Sequence, residues 1–170
     1  MLDDGYNAKI IEYAGNIERA GRLDDRDATA KAHSKLCGST VIVDLKVEER
    51  DGDLVVTDFA HEVKACALGQ AASSIMAKTV IGATASELKA LRKIMYAMLK
   101  ENGPPPTGRF DEFKFLEPVR DYKARHASTL LTVDAVVDCL EQIEAERGAA
   151  KREKKETVKR NADNALGSAG

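Results

Sequence analysis

The 170-residue sequence contains no tryptophan, and aromatic residues make up only 5% of it. So few aromatic rings argue against a surface that stacks the bases of single-stranded nucleic acid. The 26 lysines and arginines nearly balance the 28 aspartates and glutamates, which gives a formal net charge of -2. This balance gives no reason to expect nucleic acid or an anionic membrane surface as a partner.

Cysteine is also scarce, since the sequence has only three. An odd and low number excludes a disulfide framework and predicts reduced thiols in a cytoplasmic protein. No run approaches the roughly 20 apolar residues that a membrane span needs. The first ten residues lack the pattern of a secretory signal or a transit peptide. We also find no phosphate-binding loop, nucleophile elbow or H-E-x-x-H zinc motif, which are signatures of common enzyme classes.

The first half of the sequence contains several patterns that are typical of β-strands. We predict three consecutive short strands, at residues 40–47, 54–59 and 61–65, that form an antiparallel meander. The first alternates apolar and polar side chains, and Gly52 supplies the turn that follows it. Residues 18–36 hold few large apolar side chains and are predicted to form a long loop.

Helical patterns surround these strands. Apolar spacing predicts helices over 3–18, 67–81, 84–102, 109–116 and around 133–143. Thr84 and Glu87 have the spacing of a capping box, which marks the start of one of them. Strands followed by helices indicate an α+β fold, a three-stranded antiparallel sheet with helices packed on one face.

The apolar spacing stops after Ile143. Residues 1–145 are therefore predicted to be one α+β domain, and residues 146–170 a charged C-terminal extension that is helical or disordered. A basic cluster begins at Lys151 and would suit an anionic partner. Glu153 and Glu156 interrupt the cluster, which favours a solvated tail instead.

Two cysteines lie at positions that suit metal binding or attack by a thiolate. Cys37 precedes Gly38 where the predicted loop enters the first strand, and glycine allows close approach of another group to the backbone. Cys66 lies at the predicted start of a helix, where free amides and the helix dipole favour the thiolate. The ordinary alternative is that both are small buried apolar residues. Cys139 lies on the flank of the last helix and is predicted to pack in the core.

Three histidines are available as nitrogen ligands. His126 directly precedes the last core helix, at a position from which it would complete a metal site with Cys37 and Cys66. The alternative is a solvent-facing His126. We predict that His61 is structural and that His33 is exposed.

Together these residues resemble the iron-sulfur cluster assembly scaffolds of the IscU, SufU and NifU N-terminal type. The resemblance covers roughly residues 5–145 and depends on the order of several short motifs. These are Cys37-Gly38, the valine-rich hairpin, Ala65-Cys66, Ala71-Ala72-Ser73-Ser74 and Val119-Arg120-Asp121-Tyr122-Lys123-Ala124-Arg125. The sequence departs from the family at Ser39, where the family has aspartate, at Ala65, where it has glycine, and at Ala127, where it has a third cysteine.

The resemblance implies a non-enzymatic scaffold that binds iron and sulfide, or accepts sulfur, at Cys37 and Cys66, with His126 as a further ligand. A cysteine desulfurase and recipient apo-proteins would then be its partners. A [2Fe-2S] cluster usually takes four protein ligands. A labile cluster, a cluster shared between two chains, and a zinc ion with an open position therefore all stay open.

The alternative function is a structural or interaction subunit of a larger protein assembly. Such a subunit would keep the scaffold fold and bind no cluster. The replacements at Ser39 and Ala127 favour this alternative.

Overall fold

A computed structural model of the chain describes residues 4–167. It contains four α-helices, three β-strands and two 3₁₀ segments. In chain order these are α1 (Asp4–Gly15), β1 (Ala28–His33), β2 (Thr40–Arg50), β3 (Asp53–Lys64), α2 (Ala67–Thr79), α3 (Ala85–Lys100), the long 3₁₀ segment (Gly108–Asp121), the short 3₁₀ turn (Lys123–Arg125) and α4 (His126–Gly167).

The strands form an antiparallel sheet in the order β1-β2-β3. Alternate residues of β2 are buried, namely Val41, Val43, Leu45 and Val47. Helices α2 and α3 pack against β3, and Cys139 of α4 donates a hydrogen bond from its thiol to the Val43 carbonyl at 3.3 Å. The predicted α+β class with a three-stranded antiparallel sheet is confirmed.

Two strand predictions were wrong in their boundaries. Residues 28–33, predicted as part of a long loop, form β1 and pair with β2. The strands predicted at 54–59 and 61–65 are one continuous strand, β3, because no turn interrupts the pairing at Ala60. The sheet thus has the predicted number of strands, but its first strand lies earlier in the chain.

The helix predictions were closer. The helix predicted over 3–18 is α1, which ends at Gly15; residue 3 lies outside the described residues. At the start of α3, the Glu87 amide donates to the Thr84 hydroxyl at 3.1 Å and the Thr84 amide donates to the Glu87 carboxylate at 3.4 Å. This confirms the capping box. The helix predicted over 109–116 is instead the long 3₁₀ segment.

The chain divides into two compact units, one up to Leu140 and one from Glu141 onward. The second unit is helical to Gly167, and its residues from 149 to 167 are all exposed. The domain boundary at residue 145 stays a prediction. Within residues 4–167, none of the helices combines the length and the apolar character that a membrane crossing needs.

A buried aspartate fixes the segment before β1. Asp44 is fully buried in β2. It accepts hydrogen bonds from the Arg22 guanidinium at 2.8 and 3.1 Å, from the Leu23 amide at 3.0 Å and from the Thr29 hydroxyl at 2.7 Å. Burial raises the pKa of Asp44, but these donors outweigh burial and hold the pKa below its usual value. The carboxylate is therefore satisfied although it lies inside the protein.

We expect Asp44→Asn to lower the free energy of unfolding in urea by roughly 2–4 kcal/mol, because Arg22 loses its charged partner. The stabilisation by the wild-type carboxylate is present above the pKa of an unfolded aspartate, about 3.9. It is lost as the pH falls through the lower folded-state pKa. The difference between wild type and variant should therefore shrink in acid.

Asp58→Asn is the matched control, because Asp58 is half-exposed and lies 3.7 Å from the Arg19 guanidinium. Its loss should stay below about 1 kcal/mol. Equal losses at the two positions would contradict the role given to Asp44.

Candidate functional site

The loop between β1 and β2 presents Cys37. Its ends are joined by a hydrogen bond from the Ser34 amide to the Ser39 carbonyl at 2.9 Å. A second bond of 2.9 Å runs from the Gly38 amide to the Ser34 carbonyl. Gly38 takes a φ of 71°, a left-handed conformation that glycine adopts without steric cost. The loop is thus tightly closed and leaves Cys37 exposed.

Two buried hydroxyl groups surround the sulfur of Cys37. Its Sγ lies 3.5 Å from Ser34 Oγ and 3.0 Å from Ser39 Oγ. Hydrogen bonds from Ser34 and then Ser39 lower the pKa of Cys37 to about 7. A large fraction of this thiol is therefore thiolate near neutral pH, which is the form that binds metals and attacks sulfur.

Cys66 lies at the N-cap of α2 and is half-buried. Its Sγ lies 3.4 Å from Ser128 Oγ, in the first turn of α4. Burial raises the pKa of Cys66, but the Ser128 hydroxyl and the first-turn amides of Gly69 and Leu68 outweigh it. The pKa therefore lies below its ordinary value. The amides act although the side chain makes no capping hydrogen bond, as expected at a helix N-terminus.

The two thiols are coupled electrostatically. A thiolate at Cys37 raises the pKa of Cys66, so each sulfur feels the charge of the other. The Arg125 guanidinium acts in the opposite direction and lowers the pKa of Cys37. The site therefore combines two thiols, three serine hydroxyls and one nearby cation.

A glycine makes the approach of α2 to α4 possible. A β-carbon on Gly69 would lie 2.7 Å from the Ala65 Cβ and 3.1 Å from the Ser128 carbonyl oxygen. Real β-carbons essentially never approach as closely as 2.7 Å, and a contact of 3.1 Å is tight, so the neighbours would have to shift. The absence of a side chain at residue 69 thus avoids a clash with Ala65 and leaves room for the Ser128 backbone.

His126 is placed differently from the two thiols. It is buried, and its Nε2 donates to the carbonyl oxygens of Val119 at 3.1 Å and Arg120 at 3.0 Å. Carbonyls only accept hydrogen bonds, so Nε2 carries a proton and Nδ1 is the nitrogen left to bind a metal. The solvent-facing alternative for His126 is wrong, whereas its role as a ligand stays a prediction.

The other candidates behave as ordinary structural residues. Burial raises the pKa of Cys139 to about 12, which leaves it protonated and inert. His61 is buried against Phe59, and its Nε2 donates to the Glu18 carbonyl at 2.8 Å. His33 is exposed. The predictions for these three residues are confirmed.

Sequence reasoning missed the residues that tune the thiols. Ser34 fell within the predicted loop, so its burial beside Cys37 was not foreseen. Ser128 is 62 residues from Cys66 in sequence, so no local pattern links the two. Ser34 and Ser39 lie within three residues of Cys37, although serines are too common for this spacing to be specific.

The donor set defines what the site is able to hold. No group of three histidine, cysteine, aspartate or glutamate side chains able to bind a metal occurs among the described residues. Neutral hydroxyls are poor substitutes for a carboxylate. One chain therefore offers two soft sulfur ligands, a set that fits sulfur transfer or a share in a metal centre.

Alkylation of Cys37 should follow a pH profile with a midpoint near 7, measured as the rate of iodoacetamide labelling by peptide mass spectrometry. Ser39→Ala should raise this midpoint, because the thiolate loses a donor 3.0 Å away. Ser128→Ala is the matched control, since it should shift the profile of Cys66 instead. An ordinary midpoint for Cys37 in the wild type would contradict the environment described.

Gly69→Ala should destabilise the protein by roughly 1–3 kcal/mol in urea, because the added methyl group forces α2 and α4 apart. It should also change the labelling rate of Cys66 more than that of Cys37. Gly148→Ala is the control, since a β-carbon there meets no atom within 4 Å. Equal stability of the Gly69 and Gly148 variants would show that the close approach is not required.

Known proteins share the sequence pattern and the fold of this chain. The family model of the NifU-like N terminal domain matches residues 5–128. The chain is 68% identical to a nitrogen-fixing NifU-like protein (N-terminal) from Brucella abortus, whose crystal structure gives a TM-score of 0.77. That match covers 82% of this chain and 94% of the Brucella chain.

More distant relatives carry a functional name. The iron-sulfur cluster assembly scaffold protein IscU of Thermotoga maritima is 27% identical over 144 residues, covering 81% of this chain and 94% of that protein. The protein of the same name from Streptococcus pyogenes serotype M1 is 23% identical over 141 residues, covering 83% and 86%. The resemblance found in the sequence is confirmed: the chain belongs to the NifU-like N-terminal domain family.

Proposed function

We propose that this chain is an iron-sulfur cluster assembly scaffold that receives sulfur and iron at Cys37 and Cys66. The observation that carries the proposal is that two thiols from different elements both have a lowered pKa and that the charge of Cys37 acts on Cys66. The names of the Thermotoga and Streptococcus relatives support it. The cluster is cargo, which the protein holds and passes on without acting as an enzyme.

Cys37 is the better first acceptor of sulfur. It is exposed on a closed loop, whereas Cys66 is half-buried. The Cys37 thiolate would attack the outer sulfur of a persulfide on a cysteine desulfurase. The sulfur–sulfur bond of the donor breaks, the desulfurase leaves as a thiolate, and Cys37 becomes the new persulfide. No external oxidant or reductant is needed for this exchange.

Two thiolates do not fill the coordination of a [2Fe-2S] cluster, which usually has four protein ligands. We propose that the cluster is labile and that its remaining ligands come from outside this site. A second copy of the chain, His126 through Nδ1, and a recipient apo-protein are the candidates. Zinc with an open position is the competing metal. The three free cysteines fit a reducing compartment such as the cytoplasm.

One observation favours a second candidate function. Because the described residues provide no third ligand at the thiols, the chain would also suit a cluster-less subunit of a larger assembly. In that case the thiol site would be a remnant, and purification from native cells would recover a stoichiometric partner complex.

Anaerobic reconstitution with ferrous iron and sulfide tests the proposal. We expect visible charge-transfer absorption with iron and sulfide bound, and its loss in Cys37→Ala and in Cys66→Ala. Cys139→Ala is the matched control and should keep the absorption, since Cys139 is buried away from solvent. His126→Gln reports whether the histidine contributes a ligand.

Two further measurements separate the alternatives. Elemental analysis of protein purified without oxygen distinguishes iron, zinc and an empty site. Incubation with a desulfurase and cysteine should add the mass of one sulfur atom at Cys37 in the wild type. Neither cluster nor sulfur bound at Cys37 and Cys66 would overturn the scaffold function and leave the cluster-less subunit.

A further inference from the structure

A polar cavity whose lining includes neither Cys37 nor Cys66 lies between the end of α3, the end of the long 3₁₀ segment and the start of α4. Its volume is about 350 Å³, which is at the small end of the range for ligand sites. Its lining consists of Leu99, Lys100, Asn102, Arg120, Lys123 and His126. The proposed scaffold function uses none of the lysine or arginine side chains of this lining.

The lining is strongly cationic. Lys100 comes from α3, Arg120 from the long 3₁₀ segment and Lys123 from the short 3₁₀ turn, so three different elements each contribute one positive charge. One acid lies nearby, since Glu117 Oε1 is 3.7 Å from Arg120 Nη2. Glu101 and Asp121 adjoin the lining in sequence, but they are exposed and lie outside it. The lining itself therefore holds three cations and no carboxylate, with acids only beside it.

Arg120 is anchored beside this cavity. Its Nη2 donates to the Gly103 carbonyl at 2.9 Å, which holds the guanidinium in place. Its Nε is buried and has no hydrogen-bond partner among the side chains and backbone of the described residues. The protein contacts of this guanidinium therefore leave part of its donor capacity unused.

The geometry of His126 adds a fixed wall to the cavity. Because Nε2 donates to the carbonyls of Val119 and Arg120, the imidazole ring is held in one orientation. The Asn102 side chain adds an amide that donates hydrogen bonds. The cavity thus combines an imidazole ring of fixed orientation with the side chains of two exposed lysines.

We propose that this cavity binds a small oxyanion of the phosphate type, either inorganic phosphate or a phosphate monoester. An oxyanion has the charge that the cations of this lining attract, and its oxygens, which point in several directions, match cations that come from three elements. The volume admits a phosphate with a small attached group and is too small for an extended polymer.

Titration of the full-length chain with inorganic phosphate tests this site, at neutral pH and constant ionic strength. Calorimetry gives the Kd, and amide NMR shifts locate the site. We expect shifts concentrated at Lys100, Asn102, Lys123 and His126. Phenyl phosphate in place of inorganic phosphate distinguishes a monoester site, which should bind it more tightly, from a free-phosphate site, which should exclude it.

Substitution of the cationic side chains tests whether they bind the phosphate. The double variant Lys100→Gln/Lys123→Gln should bind phosphate at least roughly tenfold more weakly. Arg120→Gln should do the same, and the lysine variant keeps the test valid if loss of Arg120 disturbs folding. Lys93→Gln is the matched control, because Lys93 is an exposed lysine of α3 outside the cavity.

Three results would overturn the proposal. The first is an unchanged Kd in the double lysine variant. The second is an equal loss in the Lys93 control, which would mean that binding follows net charge alone. The third is citrate binding more tightly than phosphate, which would assign the cavity to carboxylates. None of these outcomes bears on Cys37 and Cys66, so this inference and the scaffold function fail separately.

Discussion

The thiol site depends on one close approach, that of the first turn of α2 to the first turn of α4. At Gly69 the two helices come so near that a β-carbon would meet the Ser128 carbonyl oxygen at 3.1 Å. This approach puts the Ser128 hydroxyl beside Cys66, 62 residues away in sequence. A larger residue at position 69 would separate a helix N-terminus from the group that tunes its thiol, so packing here sets the chemistry directly.

Serine hydroxyls lie beside both thiols. One of these serines, Ser39, occupies the position at which the family that the sequence resembles has an aspartate. A carboxylate beside a thiol would be a metal ligand and would also disfavour the thiolate by charge repulsion. Ser34 and Ser39 stabilise the Cys37 thiolate by hydrogen bonds and add no charge. Serine at position 39 therefore removes a possible carboxylate ligand and stabilises the Cys37 thiolate. This combination supports the proposed role of Cys37 as a sulfur acceptor.

The sequence predicted the structure correctly where a local pattern of side chains determines it. The alternation of Val41, Val43 and Leu45 predicted β2, and the pair Thr84 and Glu87 predicted a capping box. It failed at β1, because Ala28 and Ala30 are buried but too small to give a strong strand signal. It also divided β3, since the burial of His61 depends on the distant Glu18 carbonyl. Cys37 and Cys66 were paired through the family resemblance, whereas their serine partners required the three-dimensional structure.

The first turn of α4 contributes to two sets of contacts, one around Cys66 and one at the end of the long 3₁₀ segment. From the sequence we predicted a single metal site there. His126 was expected to complete a ligand set with the thiols, and it lies two residues before Ser128. On a helix, residues two apart do not face the same side, so His126 and Ser128 lie on different faces of this turn. The Nε2 of His126 donates to two carbonyls at the end of the long 3₁₀ segment, which joins that segment to the start of α4. By holding that first turn in place, His126 supports the position of Ser128 whether or not its ring ever binds a metal.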